Sequence, residues 1–254
     1  MRGFRNAINR LLHGGRRKGR GRSWGRCASR RLPDDVFALL GGRARLIIDG
    51  GANEGKETDK FLRRYPRAEI HAFEPIGDLV ERMRGRFAGH ANVHLHQTAL
   101  GAAEGELSLN VTAKHAASSL LRPSDWVSAY WKEQMDVVRA VPTPVVRLDG
   151  LFRQEVDILK LDLQGYELEA LKGASDLLPR VKVVMLEVEF VELYEGAPLF
   201  ADVDGFLRGC GFRLYNIYDP FTQRDGQLVQ ADAVYLNTCY FPDAERQRKA
   251  SQME

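Results

Sequence analysis

No window of the chain approaches the roughly 20 consecutive apolar residues that a membrane-spanning helix requires, and no apolar core follows the charged amino-terminal residues as it does in a secretory leader. A spanning or secreted protein is therefore not expected, and a cytoplasmic one is. Cysteine is scarce too. Cys27, Cys210 and Cys239 are too few and too widely spaced for a disulfide framework or a zinc ribbon, which leaves them as reduced thiols. Acid is missing altogether from residues 1–32, where ten Arg and Lys18 stand against no Asp or Glu.

That last absence divides the chain. Eleven of the 37 basic residues lie in 1–32, so the other 26 face 34 acids, and the formal charge of +3 conceals a body of net −8. Residues 1–32 begin with an amphipathic set, Phe4, Ile8, Leu11 and Leu12, then pass into Gly and Arg, a composition that cannot bury a core. The stretch reads as a disordered tail. Its charge suits an anionic membrane surface, which would make the protein peripheral to a membrane, or nucleic acid, and an organelle transit peptide has the same composition. The rest is long enough for one ordinary core, so 33–245 is read as one domain and 246–254 as a polar carboxyl-terminal tail.

Within that domain the apolar pattern alternates between short runs and helical spacing. "RLIIDG" is a strand ending in turn residues, and "ETDKFLRRYP" puts Phe61, Leu62 and Tyr65 on one helical face before Pro66. "EIHAFEP", a helix carrying Leu79, Val80, Met83 and Phe87, and the strand "NVHLHQTAL" continue the rhythm. It resumes with "DILKLDL", "YELEALKGA", "VKVVMLEVEF" and "LFADVDGFLRGCG", then closes on "FRLYNIYD" and "ADAVYLN" with no helix between them. The expected fold is α/β: a doubly wound, mostly parallel sheet of about seven strands with a carboxyl-terminal antiparallel hairpin. Residues 105–145 break the rhythm and are expected to lie as an insert or lid over the sheet's carboxyl edge.

The stretch "LIIDGGANEG", residues 46–55, sits where such a sheet binds ligands, at the carboxyl end of its first strand. Gly51 and Gly55 permit close backbone approach, the next helix offers free N–H groups, and Asp49 can accept from an ammonium or a water. The glycines do not have the spacing of the dinucleotide fingerprint, which argues against a pyrophosphate and a nicotinamide oxidoreductase. Glu74, ending the second strand in "AFEP", stands where ribose hydroxyls need an acceptor. Acid, glycines and acid describe a nucleoside with an amino-acid tail.

In this order, "IIDGGANEG", "HAFEP", "TALG", "SSL", "VVRLDG" and "ILKLDLQGYELEALKGA" resemble the FkbM-type methyltransferases over roughly residues 45–237. The resemblance implies a Rossmann-like class I methyltransferase fold and S-adenosyl-L-methionine as cofactor. It also implies O-methylation of a sugar, lipid-linked glycan, polyketide or other secondary metabolite. On it, Asp49, Gly51, Asn53 and Gly55 line the cofactor's methionine end, Glu74 holds the ribose, and Ala99 and Leu100 lie near the adenine. The chain departs from the family at Gln164, where an acid is common, so a role needing a carboxylate at 164 is not carried over.

Methyl transfer to a hydroxyl benefits from a general base. Asp162, ending the fourth strand of the rhythm, is the first candidate, against the plainer reading that it caps the helix at Tyr166. Glu187 and Glu189, two apart on one strand face, need partners or a task if buried. His115 is the lid's one histidine and imidazole suits a base, though a lone loop histidine is more often merely solvated. Lys160 and Glu167 are read as shaping the charge of Asp162, His94 and His96 as sheet-surface residues without a third metal ligand, and Trp126, Tyr130 and Trp131 as packing. No metal site is expected. Two other functions stay open: a catalytically inactive binding module that uses the basic tail, and N-methylation of nucleic acid or protein. Against the latter, "DLQGYE" lacks the Asn/Asp-Pro-Pro-aromatic turn of amino-methylating enzymes.

Overall fold

A computed structural model describes residues 32–242; the basic tail with Cys27, and residues 243–254, lie outside the described residues. Seven strands form one sheet. They are β1 (Leu46–Gly50), β2 (Glu69–Phe73), β3 (Val93–His96), β7 (Val156–Leu161), β8 (Val181–Glu189), β9 (Phe212–Thr222) and β10 (Leu228–Asn237). Strands β3, β2, β1, β7 and β8 run parallel, and β10 enters antiparallel between β8 and β9. This is the mostly parallel sheet with a closing hairpin that the apolar rhythm implies.

The central strands read as near-continuous apolar runs because both faces are covered. Ile47, Ile70 and Ile158 point into one layer with Phe61, Leu62, Val80 and Met83 from helices α2 (Lys56–Arg64) and α3 (Gly77–Phe87). Ile48, Leu159 and Leu161 point into the other with Leu171 and Leu207 from α5 (Glu167–Lys172) and α6 (Phe200–Gly209). A short helix, α1 (Leu32–Leu39), adds Val36 to the first layer. Because the chain winds outward from β1 in one direction and from β7 in the other, a crevice opens at the carboxyl ends of these two neighbours.

The insert differs from its sequence pattern. β4 (Ala99–Leu100), β5 (Gly105–Thr112) and β6 (Val137–Val146) form a second, three-stranded sheet in the order β4-β6-β5. The run "NVHLHQTAL" is thus two strands: it leaves the main sheet after His96 and joins the small one at Ala99. β6, "VVRAVPTPVV", is unexpected as a strand because Pro142 and Pro144 lack N–H groups; two residues apart, they leave both gaps on one edge. The small sheet packs Leu109 and Val111 on Ile76 and Leu79 of the main body. A second apolar cluster joins Ala117, Met135 and Val127 of α4 (Asp125–Trp131) to Leu193, Tyr194 and Val229.

Asp157 staples the sheet's amino-terminal edge. It is buried, accepts from the backbone N–H groups of Arg45 (2.6 Å) and Leu46 (3.2 Å), and holds Lys182 Nζ of β8 at 2.8 Å. Asp157→Ala leaves those donors without their acceptor, and urea unfolding should show a loss of about 1–3 kcal/mol. A loss under about 0.5 kcal/mol, the range of ordinary surface changes, would refute that role.

Candidate active site at the carboxyl ends of β1 and β7

Asp49 and Lys160 are register partners across β1 and β7, so their side chains leave the sheet on the same face. Lys160 Nζ lies 3.0 Å from Asp49 Oδ1 and donates to the carbonyls of Gly50 and Gly51, both at 3.1 Å. Thr58 of α2 donates to Asp49 Oδ2 at 2.6 Å. Burial alone would lower the lysine's proton affinity, but Asp49 and Asp162 outweigh it and hold Lys160 charged. The pair fastens the loop after β1 from beneath. Gly51, at φ 72°, passes so close to the loop after β7 that a Cβ there would stand 1.9 Å from the Asp162 carbonyl oxygen. Gly55, also at φ 72°, clears Phe87 and Met83 of α3.

Above the loop lies a cleft of about 680 Å³, open solvent included. Phe73, Ile76, Ala99, Leu100 and Leu109 give it an apolar wall; Gly51, Asn53, Glu74, Ser119, Asp162 and Gln164 give it a polar one. Glu74 accepts from the backbone N–H groups of Asn53 and Ile76, each at 2.8 Å, one on each carboxylate oxygen. Burial pushes Glu74 up to about 7 against those two hydrogen bonds. Each oxygen keeps a lone pair for a hydroxyl donor.

Of the sequence candidates, Gly51, Asn53, Glu74, Ala99, Leu100, Asp162 and His115 line this cleft. Asp49, fully buried, lies under the loop and not on the cleft wall, and Gly55 lies at the contact between α2 and α3. Neither is among the residues that line the cleft; both bear on the loop after β1. Asp162 does not cap α5: Tyr166 has no side-chain cap, and Glu167 instead accepts from the Leu163 N–H. His115 sits on a turn at 115–117, half-buried.

Glu187 and Glu189 stand beside Asp162 in an acidic cluster with Glu167 and Asp232, the latter in register with Glu187 across β10 and β8. Burial first, and Asp162 next, push Glu187 well above the carboxylate range. Burial raises Glu167 to about 7, Glu189 to about 8 and Asp232 to about 6. Gln164 lies among them at φ 56°. Its Nε2 donates to Asp162 Oδ1 (2.8 Å) and Glu187 Oε2 (2.9 Å), while Gln230 donates to Glu187 Oε1 at 2.6 Å. Ser119 Oγ donates to the Gln164 carbonyl at 2.7 Å, and Tyr194 OH lies 2.8 Å from Gln164 Oε1. Sequence reasoning did not find Tyr194 or Gln230 as site residues, because each comes from a distant segment with no local motif, and it quoted Ser119 only within "SSL", with no role.

His94 and His96 are joined by His71 of β2. Their rings stack at 4.6 and 5.2 Å from His71, whose Nδ1 is 2.9 Å from His96 Nε2. Stacked rings do not converge on one point, and no group of three His, Cys, Asp or Glu among the described residues is placed to hold a metal ion. Trp131 packs on Phe221 at 5.6 Å, and Trp126 is 38% exposed. Cys210 and Cys239 are free thiols. No helix among the described residues is long and apolar enough to cross a membrane.

The sheet order, the switch-point cleft and the reversed last hairpin are those of the Rossmann-like methyltransferases. The family described as Methyltransferase FkbM domain matches residues 49–214, and the chain belongs to that family, with S-adenosylmethionine as its methyl donor. It is 27% identical over 191 residues to the 2-O-methyltransferase NoeI of Sinorhizobium fredii, covering 70% of this chain and 77% of that protein. It is 26% identical over 196 residues to Methyltransferase 1 of Beauveria bassiana, covering 71% and 74%. The solved structure of an FkbM methyltransferase from Methylobacillus flagellatus shares the fold, with a TM-score of 0.50 at 12% identity. That match covers 75% of this chain, which spans under half (44%) of that structure.

The buried acids give the ligand-free protein a characteristic pH dependence. Each binds its proton more tightly folded than unfolded, so the stability it contributes is full below the ordinary carboxylate range and is lost as pH rises through about 6 to 8. His71, pushed down to about 4 by burial, acts in the opposite sense, with stability lost as pH falls from the ordinary imidazole range toward 4. Where the two windows overlap four acids outweigh one imidazole, so the melting temperature should fall as pH rises from about 6 to 8, and Glu189→Gln should flatten that fall. A profile flat from about pH 6 to 9 would contradict the burial of these acids.

Proposed function

We propose that this enzyme methylates a hydroxyl oxygen of an uncharged, polyhydroxylated acceptor, a sugar, glycan or hydroxylated secondary metabolite, with Asp162 as the general base. The observation that carries this reading is the state of the Asp162 carboxylate. Oδ1 is held by Gln164, while Oδ2 faces only Lys160 at 3.9 Å, and the side chain is 45% exposed on the cleft. One oxygen is fixed and the other is available for a proton.

The cleft suits the donor. Phe73, Ile76, Ala99, Leu100 and Leu109 would hold a nucleobase, Glu74 the ribose hydroxyls, and the Gly51–Asn53 backbone the amino-acid end. Asp49 serves the same end from below, through Lys160 and Thr58. When bound, S-adenosylmethionine supplies an electrophilic methyl group on a cationic sulfonium. The chain's own part is to orient the acceptor hydroxyl and to remove its proton on Asp162 Oδ2. A cleft lined by Glu74 and Asp162 with no Lys or Arg among the described residues, on a body of net −8, disfavours phosphorylated and nucleic-acid acceptors. The relative called a 2-O-methyltransferase supports a ring or chain hydroxyl as the target.

Two measurements test this reading. Titration calorimetry with S-adenosylhomocysteine should show binding that Glu74→Ala weakens about tenfold or more, a lost charge-assisted hydrogen bond of about 1.5–3 kcal/mol, and that Asp162→Asn spares. Labelled methyl transfer to a panel of methyl glycosides should fall about 100-fold or more in Asp162→Asn. Full turnover in that variant would remove Asp162 as base, and a preference for sugar phosphates over their neutral parents would overturn the acceptor class. The basic residues 1–32 support, by charge alone, attachment to an anionic surface. Sedimentation with phosphatidylserine vesicles should then fall with salt and vanish on their deletion.

A further inference from the structure

Gln164 stands where carboxylates crowd, yet it is the one neutral side chain placed between two of them. Its primary amide has two N–H donors and one acceptor oxygen, and all three are engaged: the donors by Asp162 Oδ1 and Glu187 Oε2, the acceptor by Tyr194 OH. Tyr194 is buried, and burial followed by the nearby acids keeps its phenol protonated, so it is a donor. Its hydroxyl has two acceptors in reach, Gln164 Oε1 at 2.8 Å and the Ala117 carbonyl at 3.1 Å, and the shorter contact is to the amide oxygen. This hydroxyl fixes the amide so that the NH₂ faces the acids. The reverse orientation would set an amide oxygen against two carboxylates. The backbone supports the same geometry: Gln164 holds a left-handed conformation, tied by Ser119 of the insert, and a side chain at the following Gly165 would meet Ala197, Tyr194 and Glu189.

We infer that Gln164, oriented by Tyr194, is the positioning residue of the methyl-acceptor site: its amide bridges Asp162 to Glu187 and leaves Asp162 Oδ2 as the one oxygen of that pair presented to the acceptor. The inference rests on the proposed O-methyl transfer only for the task of Asp162. A carboxylic acid at 164 cannot do the same work. Ionised, it has no donor and adds a further negative charge; protonated, it has one donor for two acceptors. The charged groups facing Asp162 are Lys160 on its own strand, Glu187 on β8, Glu167 on α5 and Asp232 on β10, with Glu189 behind Glu187 and Asp49 across Lys160. Lys160 alone among them is positive, and Asp49 already holds it. The N–H groups of Gln164 are therefore the donors that bridge Asp162 to Glu187.

The test has a spectroscopic arm that needs no acceptor and a kinetic arm that does. In ¹⁵N-labelled protein the Gln164 side-chain amide, assigned by its loss in Gln164→Leu, should give two inequivalent, downfield, slowly exchanging protons. Tyr194→Phe should move both, and Asp162→Asn chiefly one. With whichever methyl glycoside the panel identifies, Gln164→Glu should lower kcat and shift the acid limb of its pH profile upward by about one unit, the effect of a like charge replacing a donor. The KM for S-adenosylmethionine should hold. An amide exchanging as fast as exposed glutamines would overturn the clamp, as would a Gln164→Glu enzyme with the unaltered pH profile. If no glycoside is methylated by the unaltered enzyme, the acceptor reading fails separately, and the amide resonances still decide the clamp.

Discussion

The ion pair between Asp49 and Lys160 is the constraint on which the site depends. A carboxylate with no solvent exposure and an ammonium nearly as buried must satisfy each other, and they do so across adjacent strands with Thr58 and the Gly50 and Gly51 carbonyls completing the shell. Removing either partner strands a charge in the core. The arrangement fixes the carbonyls at the end of β1, and through them the turn at Gly51, which alone among residue types can pass 1.9 Å, as a would-be Cβ, from the Asp162 carbonyl. The loop that would hold the donor and the residue that would take the proton are thus positioned by one buried contact between β1 and β7.

A second consequence is electrostatic. Among the described residues the lysine beside the acids at the ends of β7, β8 and β10 is Lys160, and Asp49 holds it. The chain answers with amides: Gln164 and Gln230 each donate to Glu187, and Gln164 extends the network to Asp162. Neutral donors stabilise anions without a compensating buried charge, and they leave the cleft's negative potential intact for a cationic ligand. Gln164 is the residue that this network needs.

How far the sequence foretold this differs element by element. β1, β7 and β8 were legible because strands buried on both faces must be apolar throughout, and Glu74 and Asp162 followed from standing at strand ends. β6 was not legible, since prolines and an exposed face erase the alternation by which strands are recognised, and β4 is only two residues long. The part played by Asp49 changed with the third dimension. At a strand end it invites a ligand, but only the adjacency of β1 and β7 reveals that Lys160 is opposite it. Tyr194 and Gln230 converge on Gln164 and Glu187 from a loop and from the hairpin strand, and separations of 30 and 43 residues carry no local signal.

The charge pattern also bears on why a base should sit among like charges. In the proposed reaction a sulfonium cation and a carboxylate anion enter, and a neutral thioether and a carboxylic acid remain, so charge is annihilated in the cleft. Water stabilises separated ions and opposes such a change; a site partly shielded from water opposes it less. Burial pushes the neighbouring acids Glu187, Glu167 and Asp232 toward their protonated forms, so the surroundings of Asp162 already disfavour buried charge. The amide of Gln164 must therefore do less than a lysine would. A cation in its place would hold Asp162 more firmly as an anion and so oppose the proton transfer, whereas an amide fixes the position of the carboxylate and leaves most of its basicity.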